Sequence, residues 1–355
     1  MRRFTTTTLA LTLAATGALT GAAVVAAQDG SDLKIGLVTD VGTINDRNFN
    51  QFSWEGAQAG AAAIGAGEPQ YAISQASADI QPNIQAFIDQ DYDIIVTVGF
   101  AAGEDTANAA AANPETWFIG VDQGVPEGVE NYIGIGWREQ QPGYLAGIVA
   151  ASISETGHIG AVGGTAVIPA VVNYIEGYAN GARSVNPEAE VVVAYVSEQP
   201  DAAAFADPAG GTTFTQQLLA QDPDIDVMFQ VAGLTGNGVL QAACDAGINA
   251  IGVDVDQYVS TPETAACTIV SAEKKLSKNV NDAIISIVED NASPGTNVLG
   301  IDTEDVGLSS FHEFEDLISD ETLAAIAAAE AGLADGSLMP CEEDETTGFC
   351  VKTLG

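Results

Sequence analysis

The strongest constraint on this chain's fold is an alternation, run through twice, of short apolar β-rich segments and longer stretches with helical spacing. From Lys34 the extended segments are Lys34-Ile-Gly-Leu-Val-Thr-Asp40, Gln70–Ser74, Asp93–Gly99 and Thr116–Asp122. Between them Ile80, Ile84, Phe87 and Ile88 recur at i, i+4, i+7 and i+8, one buried stripe on a helix. Parallel strands need a crossover, and a helix of this kind supplies it. The plan then repeats with Gly157–Gly164, Glu190–Ser197, Asp226–Gly233 and Asn249–Asp256. A strand Cys267–Ser271, a helix carrying Leu276, Val280, Ile284, Ile287 and Val288, an extended stretch Thr296–Ser310 and an Ala-rich helix Thr322–Ala334 follow. The sequence therefore predicts an α/β protein of two doubly wound parallel-sheet lobes, joined by a hinge and separated by a cleft.

The expected boundaries are 33–135 with about 268–298 for the first lobe and 136–267 with about 299–335 for the second, leaving 336–355 as an acidic tail. Residues 1–27 read as a secretory signal: Arg2 and Arg3 precede a small apolar run from Leu9 to Val25, and Val25-Ala26-Ala27 gives a small-x-small cleavage pattern. A membrane anchor is the alternative, opposed by the Ala, Gly and Thr content of the run and the polar residues after it. The mature protein is expected outside the cytoplasmic membrane, periplasmic or at the cell surface, and monomeric.

Forty-nine Asp and Glu against ten Lys and Arg give a net charge of −39, and the acids are spread along the chain. Nucleic acid is excluded as a partner, and the plain reading is a solvated acidic surface. After the signal, the only bases are Lys34, Arg47, Arg138, Arg183, Lys274, Lys275, Lys278 and Lys352. An anionic ligand needs a guanidinium fork or several ammonium groups. This chain can hardly assemble one, so a neutral ligand is expected; no cofactor is expected, and no metal, because the only histidines, His158 and His312, have no Cys at ligand spacing. The four cysteines of an exported chain point to disulfides; Cys244–Cys267 and Cys341–Cys350 are the favoured pairs, with buried free thiols as the alternative.

In open parallel sheets ligands bind beyond the carboxyl ends of the strands. Those ends carry Asp40, Asp122 and Asp254, acceptors for hydroxyl or ring N–H groups. Residues 34–56, KIGLVTDVGTINDRNFNQFSWEG, together with IGVDQ at 119–123, AGLTGNGV at 232–239, IGVDVDQ at 251–257 and the Ser271-x-x-Lys274 pattern, resemble the basic membrane protein family of PnrA-like ABC-transporter binding proteins.

The resemblance implies a fold like that of the type I periplasmic binding proteins, a nucleoside ligand of purine type, and membrane permease subunits as partners. It implies that Asp40 reads the base edge, Phe49 stacks on the base, and Asp122 adds a second carboxylate. Asp254 and Lys274 would hold the ribose. The opposing aromatic is expected to be Phe229 first and Phe205 second. Asn45, Asp46, Asn50, Gly164 and Gly233 complete the expected ligand-binding set. A lipobox cysteine, present in many members, is missing at the cleavage point.

Each assignment has a structural alternative. Asp40 and Asp122 can cap the following helices, Asn45 and Asp46 can be loop or cap residues, Phe49 can belong to the core and Lys274 to the surface. Trp54 is expected in the core. Gly233-Leu-Thr-Gly-Asn-Gly238 lacks the Lys and Ser/Thr ending of a phosphate loop, so it reads as a tight strand-to-helix turn. Other small ligands, such as a flavin, another vitamin or a simple sugar, fit the same pattern. A secreted nucleoside hydrolase is the rival from another class, opposed by the lack of a Gly-x-Ser-x-Gly elbow, a credible catalytic His and a tight carboxylate cluster.

Overall fold

The computed structural model describes residues 30–344 and 347–354, so the expected signal segment lies outside the described residues. The strands are β1 (Ile35–Val41), β2 (Gln70–Ser74), β3 (Ile94–Val98), β4 (Trp117–Val121), β5 (Tyr132–Trp137), β6 (His158–Thr165), β7 (Glu190–Ser197), β8 (Val227–Val231), β9 (Asn249–Asp254), β10 (Thr268–Lys274), β11 (Gly295–Leu299) and β12 (Val306–Leu308). They form two six-stranded sheets, ordered β11-β5-β4-β3-β1-β2 and β12-β10-β9-β8-β6-β7. Every pairing is parallel except β10 with β12. Parallel strands flanked by helices on both faces must be apolar throughout. Accordingly Leu37, Val38, Ile95, Val96, Val227, Met228 and Phe229 are all fully buried.

Each sheet reverses its winding beside its first strand, between β1 and β3 and between β6 and β8. Such switch points open a crevice at the carboxyl ends. The chain passes between the sheets after Trp137, after Lys274 and after Leu299. At these crossings Arg138 N–H donates to the Leu299 carbonyl at 2.8 Å and Lys275 N–H to the Asp305 carbonyl at 2.9 Å, tying adjacent hinge segments together.

Two differences from the sequence expectation concern this region. Strand β10, expected in the first lobe, lies in the second sheet between β9 and β12, with Ile269, Val270 and Ala272 in that lobe's core. Only then does the chain cross, so that the helix Leu276–Val288 packs on the helix Phe49–Ala63 of the first lobe. Gly56 and Gly60 leave the space that Val280 and Ile284 fill. Strand β5, not expected at all, is diluted by Gly134 and Gly136; a side chain at Gly134 would strike the Gln123 carbonyl.

In the second lobe the helices Gln140–Ile153 and Pro169–Val185 approach closely enough that Gly143, Gly147, Gly177 and Gly181 each face the other helix's backbone. The turn from β8 into the helix Gly233–Ala246 is tight, with Gly233 at φ 53°. Trp54 is buried in the first core. Cys244 is joined to Cys267, and Cys341 to Cys350, with Cα separations of 5.5 and 5.7 Å. Among the described residues no helix is long and apolar enough to cross a membrane.

Candidate ligand-binding site

A cavity at the paired switch points is lined from both lobes, by Asp40, Phe49, Phe100 and Asp122 on one side and by Tyr174, Phe205, Gly233 and Asp254 on the other. Lys274, the last residue of β10, also lines it. The strand tips aim their carboxylates inward at a local backbone cost. Asp122 and Asp254 have φ of 56° and 65°, a left-handed conformation that Asp tolerates better than most residues.

Lys274 organises the polar floor. Its Nζ lies 2.8 Å from Asp122, 3.2 Å from Glu139 and 3.9 Å from Asp254. It also lies 4.9 Å from the centroid of the Trp137 ring and 5.6 Å from that of Phe49, distances at which a cation is attracted to an aromatic face. Burial alone would lower the Lys274 pKa, but Asp122, Glu139 and Asp254 outweigh it and hold the ammonium above its ordinary range.

The carboxylates respond in the opposite direction. Burial pushes Asp40 up to about 7, against a hydrogen bond from Val41 N–H, with the charges of Asp122 and Asp46 adding to the rise. Burial also takes Asp254 to about 7, although Lys274 pulls it down. Glu139 is raised by burial, partly offset by Lys274.

Asp46 has a different task. Its two oxygens accept from the backbone N–H groups of Asn48, Asn50 and Gln51 at 2.9–3.0 Å, satisfying the open start of the helix Phe49–Ala63. The Asn50 amide also donates to Asp46 and accepts from Asp40 N–H at 2.9 Å. The cap therefore ties the helix turn that carries Phe49 to the Asp40 backbone. Gly99 sits against the Asp40 carboxylate with φ 88°, where a Cβ would collide with it.

The family profile described as "ABC transporter substrate-binding protein PnrA-like" matches residues 34–331. The chain belongs to the PnrA-like family. It is thus an ABC-transporter substrate-binding protein, of a family of binding proteins rather than enzymes. It is 30% identical over 330 residues to a CD4+ T-cell-stimulating antigen of Listeria innocua, with 88% of each chain covered. It is 29% identical over 332 residues to the ABC transporter nucleoside-binding protein BmpA of Lactococcus lactis, covering 87% of this chain and 89% of that one. An ABC-transporter solute-binding protein of Aeropyrum pernix has the same fold, with a TM-score of 0.77 and 25% identity over 86% of this chain and 92% of that chain.

In this PnrA-like protein the structure brings Asp40, Asp46, Phe49, Asn50, Asp122, Phe205, Gly233, Asp254 and Lys274 to one cavity. Three expected residues stand elsewhere. Phe229 is fully buried in the second core, its ring 4.9 Å from that of Tyr178, because it lies two residues short of the β8 tip. Phe205, the second choice, does line the cavity, and Tyr174 is a further aromatic from the second lobe. Gly164 does not line the cavity; its missing side chain makes room for the Phe205 ring. Asn45 is exposed and borders a separate groove at the mouth with Arg47 and Glu263.

Sequence reasoning missed Phe100, Tyr174 and Glu139. Phe100 follows Gly99 at the end of β3, a strand-tip position like that of Asp40. Phe100 meets Phe205 edge to face at 6.0 Å across the lobes. Tyr174 hydroxyl donates to the Ala272 carbonyl at 3.3 Å and has no signal in the sequence beyond its place on a helix.

Proposed function

We propose that this protein binds a neutral nucleoside, with a purine base favoured, and delivers it to the membrane subunits of an ABC importer. The observation that carries the reading is how Lys274 is used. Its ammonium is already shared among Asp122, Glu139 and Asp254, so the cavity offers acceptors and aromatic faces but has little with which to hold an anion. A nucleoside matches that surface, because the flat base can lie on Phe49 while base N–H and ribose O–H groups donate to carboxylates. Asp40 is assigned to the base edge and Asp254 to the ribose. The nucleoside-binding description of the Lactococcus relative supports a nucleoside as the ligand.

Calorimetric titration with inosine and with inosine monophosphate tests the charge argument, and tight binding of the monophosphate would overturn it. Asp254→Ala should weaken inosine by about ten-fold or more, the size of a hydrogen bond to a charged group, and leave hypoxanthine nearly unchanged. Full retention of the nucleoside-over-base preference would remove the ribose from the assignment.

A further inference from the structure

Residues 340–344 and 347–354 follow the family match and lie as a strap across the second lobe, closed on itself by Cys341–Cys350. Lys352 lies over the Tyr195 ring of β7, 4.4 Å from its centroid, and the hydrogen-bonded anchors are on two helices. Asn180 donates to the Pro340 carbonyl at 3.1 Å and Gln140 to Glu343 at 3.0 Å. Glu176 accepts Thr353 N–H, Thr353 O–H and Leu354 N–H at 2.6–2.9 Å, and Cys350 N–H donates to Asn173 Oδ1 at 2.9 Å. Asn173 and Glu176 are almost completely buried.

The helix Pro169–Val185 thus has two working faces. Asn173, Glu176 and Asn180 hold the strap, whereas Val171 and Tyr174 line the ligand cavity. One side chain connects the two. Asn173 accepts from Cys350 through Oδ1 and donates through Nδ2 to Glu139 Oε2 at 3.1 Å. The other Glu139 oxygen lies 3.2 Å from the Lys274 ammonium. A buried amide has a donor end and an acceptor end, so a backbone N–H fixed on one end decides which end faces the carboxylate.

We propose that the disulfide-closed C-terminal strap is a positioning element of the ligand site, setting the Asn173 amide, and through it Glu139 and Lys274, in the geometry that receives the ligand. The disulfide matters because it places Cys350 against Asn173: with the loop open, the strap has no covalent constraint holding that backbone N–H in place. Asn173 is a positioning residue and touches the ligand site only through Glu139.

The test compares wild type, Cys341→Ser/Cys350→Ser and Asn173→Asp. The first variant opens the strap, and the second keeps an acceptor for Cys350 N–H but removes the donor to Glu139. The ligand-free readout is the Trp137 indole N–H resonance, since that ring lies 4.9 Å from Lys274 Nζ; Trp137→Phe assigns the signal. The ligand readout is inosine affinity by calorimetry. Both variants are expected to fold, to shift the Trp137 resonance, and to bind inosine about ten-fold more weakly, the loss of one charge-assisted hydrogen bond. Folded variants with a wild-type Trp137 resonance and wild-type inosine affinity, changed only in melting temperature, would overturn the proposal. The proposal rests on the cavity being the ligand site but not on the ligand being a nucleoside. If wild type itself ignored inosine, the nucleoside reading would fail while the Trp137 resonance still decided the role of the strap.

Discussion

Lys274 and Asp122 meet across the two lobes: the ammonium at the end of β10, in the second sheet, lies 2.8 and 3.0 Å from the carboxylate oxygens at the tip of β4, in the first. Lys274 is also the last residue before the chain crosses to the first lobe. Glu139, its second partner, follows another crossing by two residues. The hinge and the binding floor are therefore one structure, and the Lys274–Asp122 pair joins the two lobes across it.

Removing that ammonium should be costly. Lys274→Met would leave Asp122, Glu139 and Asp254 facing one another in a buried site without a cation, and breaking a buried pair in this way costs roughly 3–5 kcal/mol. Thermal unfolding of the ligand-free protein should show a clearly lower midpoint. A variant as stable as wild type would mean that the carboxylates are neutral without Lys274, and the electrostatic account of the floor would be wrong.

The pH dependence has a defined sign. Asp40 and Asp254 are raised by burial to about 7, so the folded state holds protons that the unfolded state loses near the ordinary Asp value of about 4. Their contribution to stability is present below that ordinary value and is lost as pH rises through about 7. The ligand-free protein should accordingly melt higher at pH 5.5 than at pH 8. Binding should run the other way, because a ligand that donates hydrogen bonds favours the ionised carboxylates. Calorimetry near pH 6.5 in buffers of different ionisation enthalpy should detect protons released on binding. Proton uptake instead would show that the ligand meets these groups as acids.

The two candidate aromatics separate cleanly by what they lose. Phe205 lines the cavity and Phe229 lies within the second core. Phe205→Ala should weaken ligand binding by about ten-fold, within the ~1–3 kcal/mol of a base stacked on an aromatic, with little change in stability. Phe229→Ala should cost about 3–5 kcal/mol of stability through the cavity it leaves. Denaturant unfolding and titration of each variant would expose an exchange of these roles.

Much of this architecture was legible because parallel strands buried on both faces can only be apolar runs, and the runs recur in the same order in both halves. The tips were legible for a related reason: charged Asp40, Asp122 and Asp254 at the ends of such runs have to face something polar. Position along a strand was harder to read. Phe229 is two residues before the tip, about 7 Å deeper at the rise of a strand, and that distance separates cavity wall from core. Nor does a strand's composition reveal its sheet, so β10 could be placed only once its pairing with β9 and β12 was seen. Glu139 follows Trp137-Arg138 with no pattern around it, and its importance comes from what surrounds it in space.

The mouth of the cleft carries a contact that should tune the lifetime of the closed form. Arg47, in the loop after β1, is paired with Glu263 of the second lobe, and near them Asn237 donates to the Asp46 carbonyl at 3.2 Å. Both charged side chains are about half exposed, at 46% and 51%, so the pair is worth no more than about 1 kcal/mol and should hardly affect global unfolding. An interaction made only when the lobes are together still shifts the opening equilibrium by its full value, and ligand release has to pass through opening. Glu263→Gln should therefore speed ligand dissociation by up to about five-fold at low ionic strength, with an unchanged melting temperature for the ligand-free protein. In about 1 M salt, where charges are screened within about 3 Å, wild type and variant should release ligand at the same rate. Stopped-flow dissociation at both ionic strengths makes the comparison. Equal rates at low salt would show that opening does not depend on this pair, and a difference that survived high salt would assign the effect to packing around Glu263 rather than to its charge.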